Sequence, residues 1–452
     1  MGMAESGESG ESGGSSVVSE RPKLGRNVVV LGGVSLLTDV ATEMGYPLLP
    51  IFLTVVLHAS ATALGAIEGV AESVASLLKL ASGWLSDRAP GRKPLVVAGY
   101  GLASVVKPLV GLAQSVGQVT AIRVADRIGK GIRTSPRDAL IADSVAPAIR
   151  GRAFGFHRAM DNLGAVVGPL VAFAILRHSA GAPGVPGASG ASLRQVFLWS
   201  AVPAALSVAL LVAGVREVRK GSVAARPATG PIVPAAPSFP AAPSASVAPG
   251  VAADSAVGPV AAEARAPLGA RFWALFATLI VFTLGNSSDT FLLLRATQVG
   301  VATALVPVIW AMLNLVKALV NVPGGVLSDR FGRRPLLAAG WLIYGAVYLG
   351  FGFAAAAWQI WALFAAYGLY FGATEGAQSA LVADAVPADR RGTAYGFYNL
   401  AIGIAALPAS LLFGFLLDHA GARTAFTFGA AMALLAAGAI CFLQPGGRRS
   451  AS

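Results

Sequence analysis

Several acidic residues stand inside long, largely apolar stretches of this chain. Asp39 and Glu43 are four apart within 27–57, and Glu68 and Glu72 are four apart within 61–83. Residues four apart share one helix face. An acid near the centre of a lone membrane helix costs about 2.5–3.5 kcal/mol, so two side by side must face a polar cavity or a partner. A carboxyl exposed to one side of a bilayer and then to the other can carry a proton. Asp126 and Asp161 extend the set. Asp126 lies in the most charged stretch, with Arg123, Arg127, Lys130, Arg133, Arg137 and Asp138, and Pro136 near its end. Arg123, Arg127 and Lys130 form one stripe, and either arginine could be a central cation. Glu72 continues toward Lys79. The same residues could instead form a buried charge network with no transport role. Charge is sparser in the second half, where Asp289 and Glu375 are the candidates for a cavity, beside Arg295, Asn314 and Lys317.

Other chemistries find little support. The four histidines, His58, His157, His178 and His419, include no pair at ligand spacing, so no metal site is expected. Interleaved Arg and Lys oppose a hard-cation site in the acidic clusters. No phosphate-binding Gly-Lys-Ser/Thr loop precedes a helix, and no nucleophile–base pattern stands out. We therefore expect no enzyme activity and no cofactor. The single cysteine, Cys441, lies in the last apolar run and can form no internal disulfide.

The elements that position these residues are long and apolar. Of 452 residues, 55% are hydrophobic and 12% charged, with mean hydropathy +0.68; soluble domains carry roughly 25% charge. A membrane helix needs about 20 mostly apolar residues. Twelve candidates are found, at 27–57, 61–83, 94–114, 117–140, 153–177, 194–215, 271–295, 301–323, 335–356, 358–381, 394–417 and 424–443. The net charge of +12 does not indicate nucleic acid, because Lys and Arg sit in short connections rather than on one basic face. They favour one set of connections: Arg88, Arg92, Lys93; Arg150, Arg152; Arg216, Arg219, Lys220; Arg330, Arg333, Arg334; Arg390, Arg391. The positive-inside bias places these, and both termini, in the cytoplasm. Residues 1–20 are rich in Gly, Ser and Glu and read as a tail rather than a cleaved signal.

The chain is also a duplication. GWLSDRAPGRKP (83–94) returns as GVLSDRFGRRP (325–335), and ALIADSVAPAIRGRAFGF (139–156) as ALVADAVPADRRGTAYGF (380–397). Asp329 follows Asp87 by 242 residues, and Asp384 follows Asp143 by 241; the difference is one extra residue in the first loop. The pattern G-x-L-S-D-R-x-G-R-R between the second and third helix of each half resembles the signature loop of the major facilitator superfamily. Gly325, Asp329, Arg330, Gly332 and Arg333 match without a gap; Gly83, Asp87, Arg88, Gly91 and Arg92 match with the insertion. Gly164, Gly168 and Pro169 in the fifth helix resemble the G-x-x-x-G-P motif of proton-coupled exporters in that superfamily, although Leu170-Val171-Ala172 replaces the glycines that follow it there. Tyr46-Pro47-Leu48-Leu49-Pro50 resembles the exporter pattern of the first helix.

The resemblance covers about 27–444. It implies an all-α membrane protein of 12 transmembrane helices in two pseudo-symmetric six-helix bundles, 27–215 and 271–444. Residues 1–26 and 445–452 would be cytoplasmic tails, and the Ala/Pro-rich stretch 216–270 a mobile cytoplasmic tether between the bundles. It further implies that Asp87 faces a helix N-terminus in the other half and helps shut the cytoplasmic side. The expected function is proton-coupled export of a small organic solute by alternating access, from a monomer in a bacterial inner membrane. The alternatives are symport of an organic anion bound by the fourth-helix arginines, and a non-transporting receptor.

Overall fold

A computed structural model of the chain describes residues 24–146, 149–179, 189–218, 270–384 and 391–442. Most of the expected tails and tether falls outside these residues, as do the side chains of Asp87, Gly325, Asp329 and Glu375. The described residues are helical almost throughout.

Helix α1 is Arg26–Gly45, carried on to Val56 by a 3₁₀ turn at Tyr46–Leu48 and a wide turn at Phe52–Val56. Pro47 and Pro50 thus loosen the helix without ending it, since each ring removes one backbone donor. Then follow α2 (Ala61–Arg88), α3 (Lys93–Val106, with a 3₁₀ extension Lys107–Leu112), α4 (Val116–Asp143) and α5 (Arg150–Ser179). Helix α6 is Gly190–Trp199 and Ala201–Gly214, and α7 is Ala270–Gly285 and Thr290–Gln298. Helices α8 (Val306–Phe331), α9 (Arg333–Phe353) and α10 (Ala357–Asp384) complete the second set. The last segment, Arg391–Phe442, contains a non-helical residue, Gly421 (φ 80°, ψ 172°), which divides it into α11 and α12. Unbroken, its apolar part of 45 residues would run about 68 Å, twice a bilayer core.

Nine segments of the described residues are long and apolar enough to cross a membrane. Division at Gly421 makes ten. Helices α4 and α10 complete the twelve, and α4 falls short of the apolar criterion because of its charges. Several helices run past their apolar cores, α2 to Arg88 and α8 to Phe331. The second signature connection is therefore the single residue Gly332, at φ 90° and ψ 148°, a left-handed conformation that a Cβ would strain. The first connection spans 89–92, which absorbs the extra residue.

The span expected at 271–295 is present at Phe272–Gln298, and α7 is broken inside it at Asn286-Ser287-Ser288-Asp289. Helix interiors disfavour this Gly-Asn-Ser-Ser-Asp sequence, whose side chains compete for backbone hydrogen bonds. The freed Gly285 carbonyl accepts a 3.1 Å hydrogen bond from the Tyr344 hydroxyl. Tyr348 lies 3.4 Å from Ser287, and Tyr367 donates to Asp289 at 2.7 Å. An aromatic core, with Trp341, Tyr344, Tyr348 and Tyr367 all buried, thus holds the break together.

The packing repeats between halves. Helix α4 packs on α2 and α3 as α10 packs on α8 and α9. Across the halves, α2 packs on α11 and α5 packs on α8, the same pair of positions exchanged by the two-fold.

Candidate functional site

Acids and bases of α1, α2, α4 and α5 in the first half lie close enough to interact with one another. Helix α1 turns Ser35, Asp39 and Glu43 toward α5. There Ser35 donates to Asp161 in a very short hydrogen bond, and His157 lies 3.5 Å from the same carboxylate. Gly164 and Gly168 continue that face. A Cβ on either would meet the Leu36 or Val40 carbonyl oxygen at 2.6 Å, so only glycine lets the two backbones approach this closely. Pro169 follows within the helix. The α1 acids are thereby fixed against α5 but remain half-buried rather than sealed.

Glu43 reaches across the halves, accepting a 2.6 Å hydrogen bond from the Trp310 indole of α8. The Trp310 ring lies 5.1 Å from that of Tyr46, and Asn314 donates to the Ala165 carbonyl at 3.3 Å. At the end away from the signature loops, the Asp418 carboxylate of α11 accepts from the first turn of α2: Ala61 N at 2.9 Å, Thr62 N at 2.7 Å and Thr62 Oγ1 at 2.6 Å. Below it, Gly65 and Gly69 press on the α11 backbone at Ser410 and Leu407, and Ser73 donates to the Gly403 carbonyl at 2.6 Å. The halves are closed on each other at this end.

The structure separates Arg123 from Arg127. Arg123 grips Glu68 at 2.7–3.0 Å through both Nε and Nη2 and lies 3.7 Å from Asp126. Asp126 also takes Lys107 of α3 at 3.4 Å. These four side chains balance two acids against two bases; Glu68, Arg123 and Asp126 are buried and Lys107 nearly so. Lys107, Arg123 and Asp126 border a small cavity of about 40 Å³ inside the first half, beside Thr42 and Tyr46. Arg127, by contrast, is 9% exposed, and its buried Nε has no hydrogen-bond partner. Its electrostatic neighbours are Glu72, Asp126, Glu68 and Tyr46. Glu72 in turn is flanked by Lys130, Arg127, Lys79 and Arg123. Glu43 feels Lys317, Lys130 and Arg127, and Asp39 feels Asp161, Glu43, Arg133 and Lys130. The second half contributes less: Lys317 over the Phe371 ring at 3.4 Å, and Asp289 held by Tyr367.

At the loop end, Arg92 pairs closely with Asp143. Glu217 accepts from the backbone N–H groups of Arg92 at 3.0 Å and Lys93 at 2.8 Å, and a Cβ on Gly91 would meet it at 2.9 Å. Gly83 faces Ser135. Arg88 and Arg330 lie over Trp84 and Phe331; Arg333 starts α9. The expected role of Asp87 concerns a side chain outside those described. Sequence reasoning missed Lys107, Trp310, Glu217 and Asp418. Only Lys107 left a legible signal, a lone charge inside an apolar run.

The major facilitator superfamily model matches residues 31–316 and 275–452. The chain belongs to this superfamily. An uncharacterised MFS-type transporter of Methanocaldococcus jannaschii is 30% identical over 93% of this chain and 96% of its own length. A multidrug resistance protein of Klebsiella pneumoniae, MdtG, is 34% identical over 34% of this chain and 37% of its own. A solved bacterial homologue of the human lysosomal transporter Spinster, in an inward-facing and occupied conformation, shares the fold at TM-score 0.70 with 17% identity, over 94% of this chain and 97% of that one. This protein is thus a major facilitator transporter, an integral membrane protein of two six-helix bundles.

Proposed function

We propose that this transporter exports a small organic solute in exchange for protons, with Asp39 and Glu43 as the proton-carrying pair. The observation that carries the proposal is the Glu43–Trp310 bond. It joins an acid on the first half to a donor on the second, so the acid must change partners whenever the halves separate at that end. A carboxyl whose surroundings differ between two states binds protons differently in each, and proton binding then biases the equilibrium between them. The close seat of α1 on Gly164 and Gly168 of α5 supports export through its likeness to the exporter motif, as does the partial similarity to MdtG. The basic connections support a cytoplasmic loop end, in which case the zipped α2–α11 end faces outward. We place the protein in the plasma membrane of a bacterium, as a monomer.

The test is a vesicle assay. Purified protein is reconstituted with an internal pH dye and a proton gradient, and drugs and metabolites are added in turn. Export by exchange predicts that solute and protons move in opposite directions. Movement of both in one direction would establish symport and remove the exporter assignment.

A further inference from the structure

One buried titratable group has no part in the exchange proposed above. His157 of α5 is 4% exposed, and its Nε2 has no hydrogen-bond partner among the described residues. Its Nδ1 lies 3.5 Å from the Asp161 carboxylate, one turn farther along the same helix. The other oxygen of that carboxylate accepts the hydrogen bond from Ser35 of α1. Asp161 is thereby held between its own helix and α1, and it remains half-buried. One turn beyond Asp161, a Cβ on Gly164 would meet the Asp39 Cβ at 2.9 Å. A further turn on, a Cβ on Gly168 would meet the Glu43 Cβ at 3.0 Å. The two helices run side by side in register, so Glu43, Asp39, Asp161 and His157 descend toward the loop end in steps of roughly 5–6 Å, about one turn each. His157 stands two turns, about 10 Å, from the start of α5 at Arg150.

We propose that Asp161 and His157 form the path by which a proton leaves Asp39 for the loop side, with His157 the last proton-transfer residue. The Asp39 carboxyl gives its proton to the Asp161 carboxylate. Asp161 passes a proton to Nδ1 of His157, and the Nε2 proton goes to water when the loop end opens. Exchange between the two neutral tautomers through water then restores the imidazole. One proton moves at each step, and both carboxylates end ionised. Imidazole suits the final place because it accepts a proton at one nitrogen while giving up another from the second. The orphaned Nε2 fits this task, since a nitrogen tied to a protein acceptor could not hand its proton to water. Ser35 holds one carboxylate oxygen of Asp161 and leaves the other facing the imidazole. The charged groups facing the path are Arg137 of α4 beside Asp161, and Arg133 and Lys130 of α4 beside Asp39. Lys317 of α8 acts on Glu43, and α8 sets the neutral Asn314 against Ala165, one turn out from Asp161. The inference rests on Asp39 and Glu43 carrying the proton, and it supplies the exit that they need.

A light-triggered pH jump on the purified full-length protein, followed by time-resolved infrared absorption, tests the path with protons as the only ligand. Protonation of an aspartate inside the membrane appears as a carboxylic C=O band, and the band lost in Asp39→Asn reports Asp39. Protons reach Asp39 from solution by the same path in reverse. His157→Gln should therefore slow the rise of that band at least tenfold and leave its final height unchanged, because a relay sets the rate of transfer and not the equilibrium. Asp161→Asn should slow it as much, and it carries the test alone should His157→Gln fail to fold. Lost band height without a lost rate would reduce the pair to a structural bracket, and an unchanged rate in both variants would give the proton another route; either result overturns the proposal. If Asp39→Asn removes no band, the carrier assignment falls and the path falls with it. Vesicles in which solute and protons move together would overturn exchange alone, because symport needs the same proton path.

Discussion

Two arginines one turn apart on α4 have different tasks. Arg123 is consumed by Glu68 and Asp126, whereas Arg127 is not consumed at all. Removing one partner of a buried ion pair strands the other and costs about 3–5 kcal/mol. Arg123→Ala should therefore lower the thermal midpoint of the purified protein by several degrees. Arg127→Ala, which breaks no ion pair, should shift it far less. A thermal melt of each variant in the same detergent checks this, and equal melting losses would contradict the division of labour. The acids and bases were all legible as intramembrane charges, because they interrupt apolar runs. Their pairing was not. Whether Glu68 meets Arg123 or Arg127 depends on how far α2 and α4 slide past each other, and no local pattern sets that offset. Lys107 was overlooked although its apolar surroundings mark it, and Trp310 carries no charge that would single it out.

At the scale of elements, the interface of α2 with α11 is built for close approach and separation. Small residues along both helices bring the backbones together. Asp418 then caps the start of α2 across the interface, where unpaired N–H groups and the helix dipole favour a carboxylate. Replacing Asp418 with Ala removes three hydrogen bonds that exist only while this end is closed. Spin labels at His58→Cys and Ala302→Cys, in a Cys441→Ser background, report its width from opposite halves. Asp418→Ala should move the distance distribution to longer values, with the open population rising several-fold; an unchanged distribution would show that the glycine contacts alone hold the end shut. The helices and their duplication were readable from apolar length and from the two signature loops. The break in α7 was not, because the apolar residues on either side of Asn286-Ser287-Ser288-Asp289 conceal four polar residues in a span of ordinary length. Its repair by Tyr344, Tyr348 and Tyr367 comes from α9 and α10, far away in sequence.

For the molecule as a whole, the two halves are alike in architecture and unlike in chemistry. The first carries most of the charge within the helices, and the second an aromatic core with a broken helix. Among their contacts, Glu43 touches Trp310, and the proposed exchange couples proton to solute there. Asp39 and Glu43 should then be dispensable for moving solute and indispensable for moving it uphill. The decisive measurement compares the wild type with Asp39→Asn/Glu43→Gln in proteoliposomes, once a transported solute has been identified. Labelled solute is followed first in counterflow, with no proton gradient, and then against its own gradient with a proton gradient imposed. The account predicts that the double variant retains counterflow and loses gradient-driven accumulation. Accumulation that persists at the wild-type level in the double variant would contradict it and move the proton to another carboxylate.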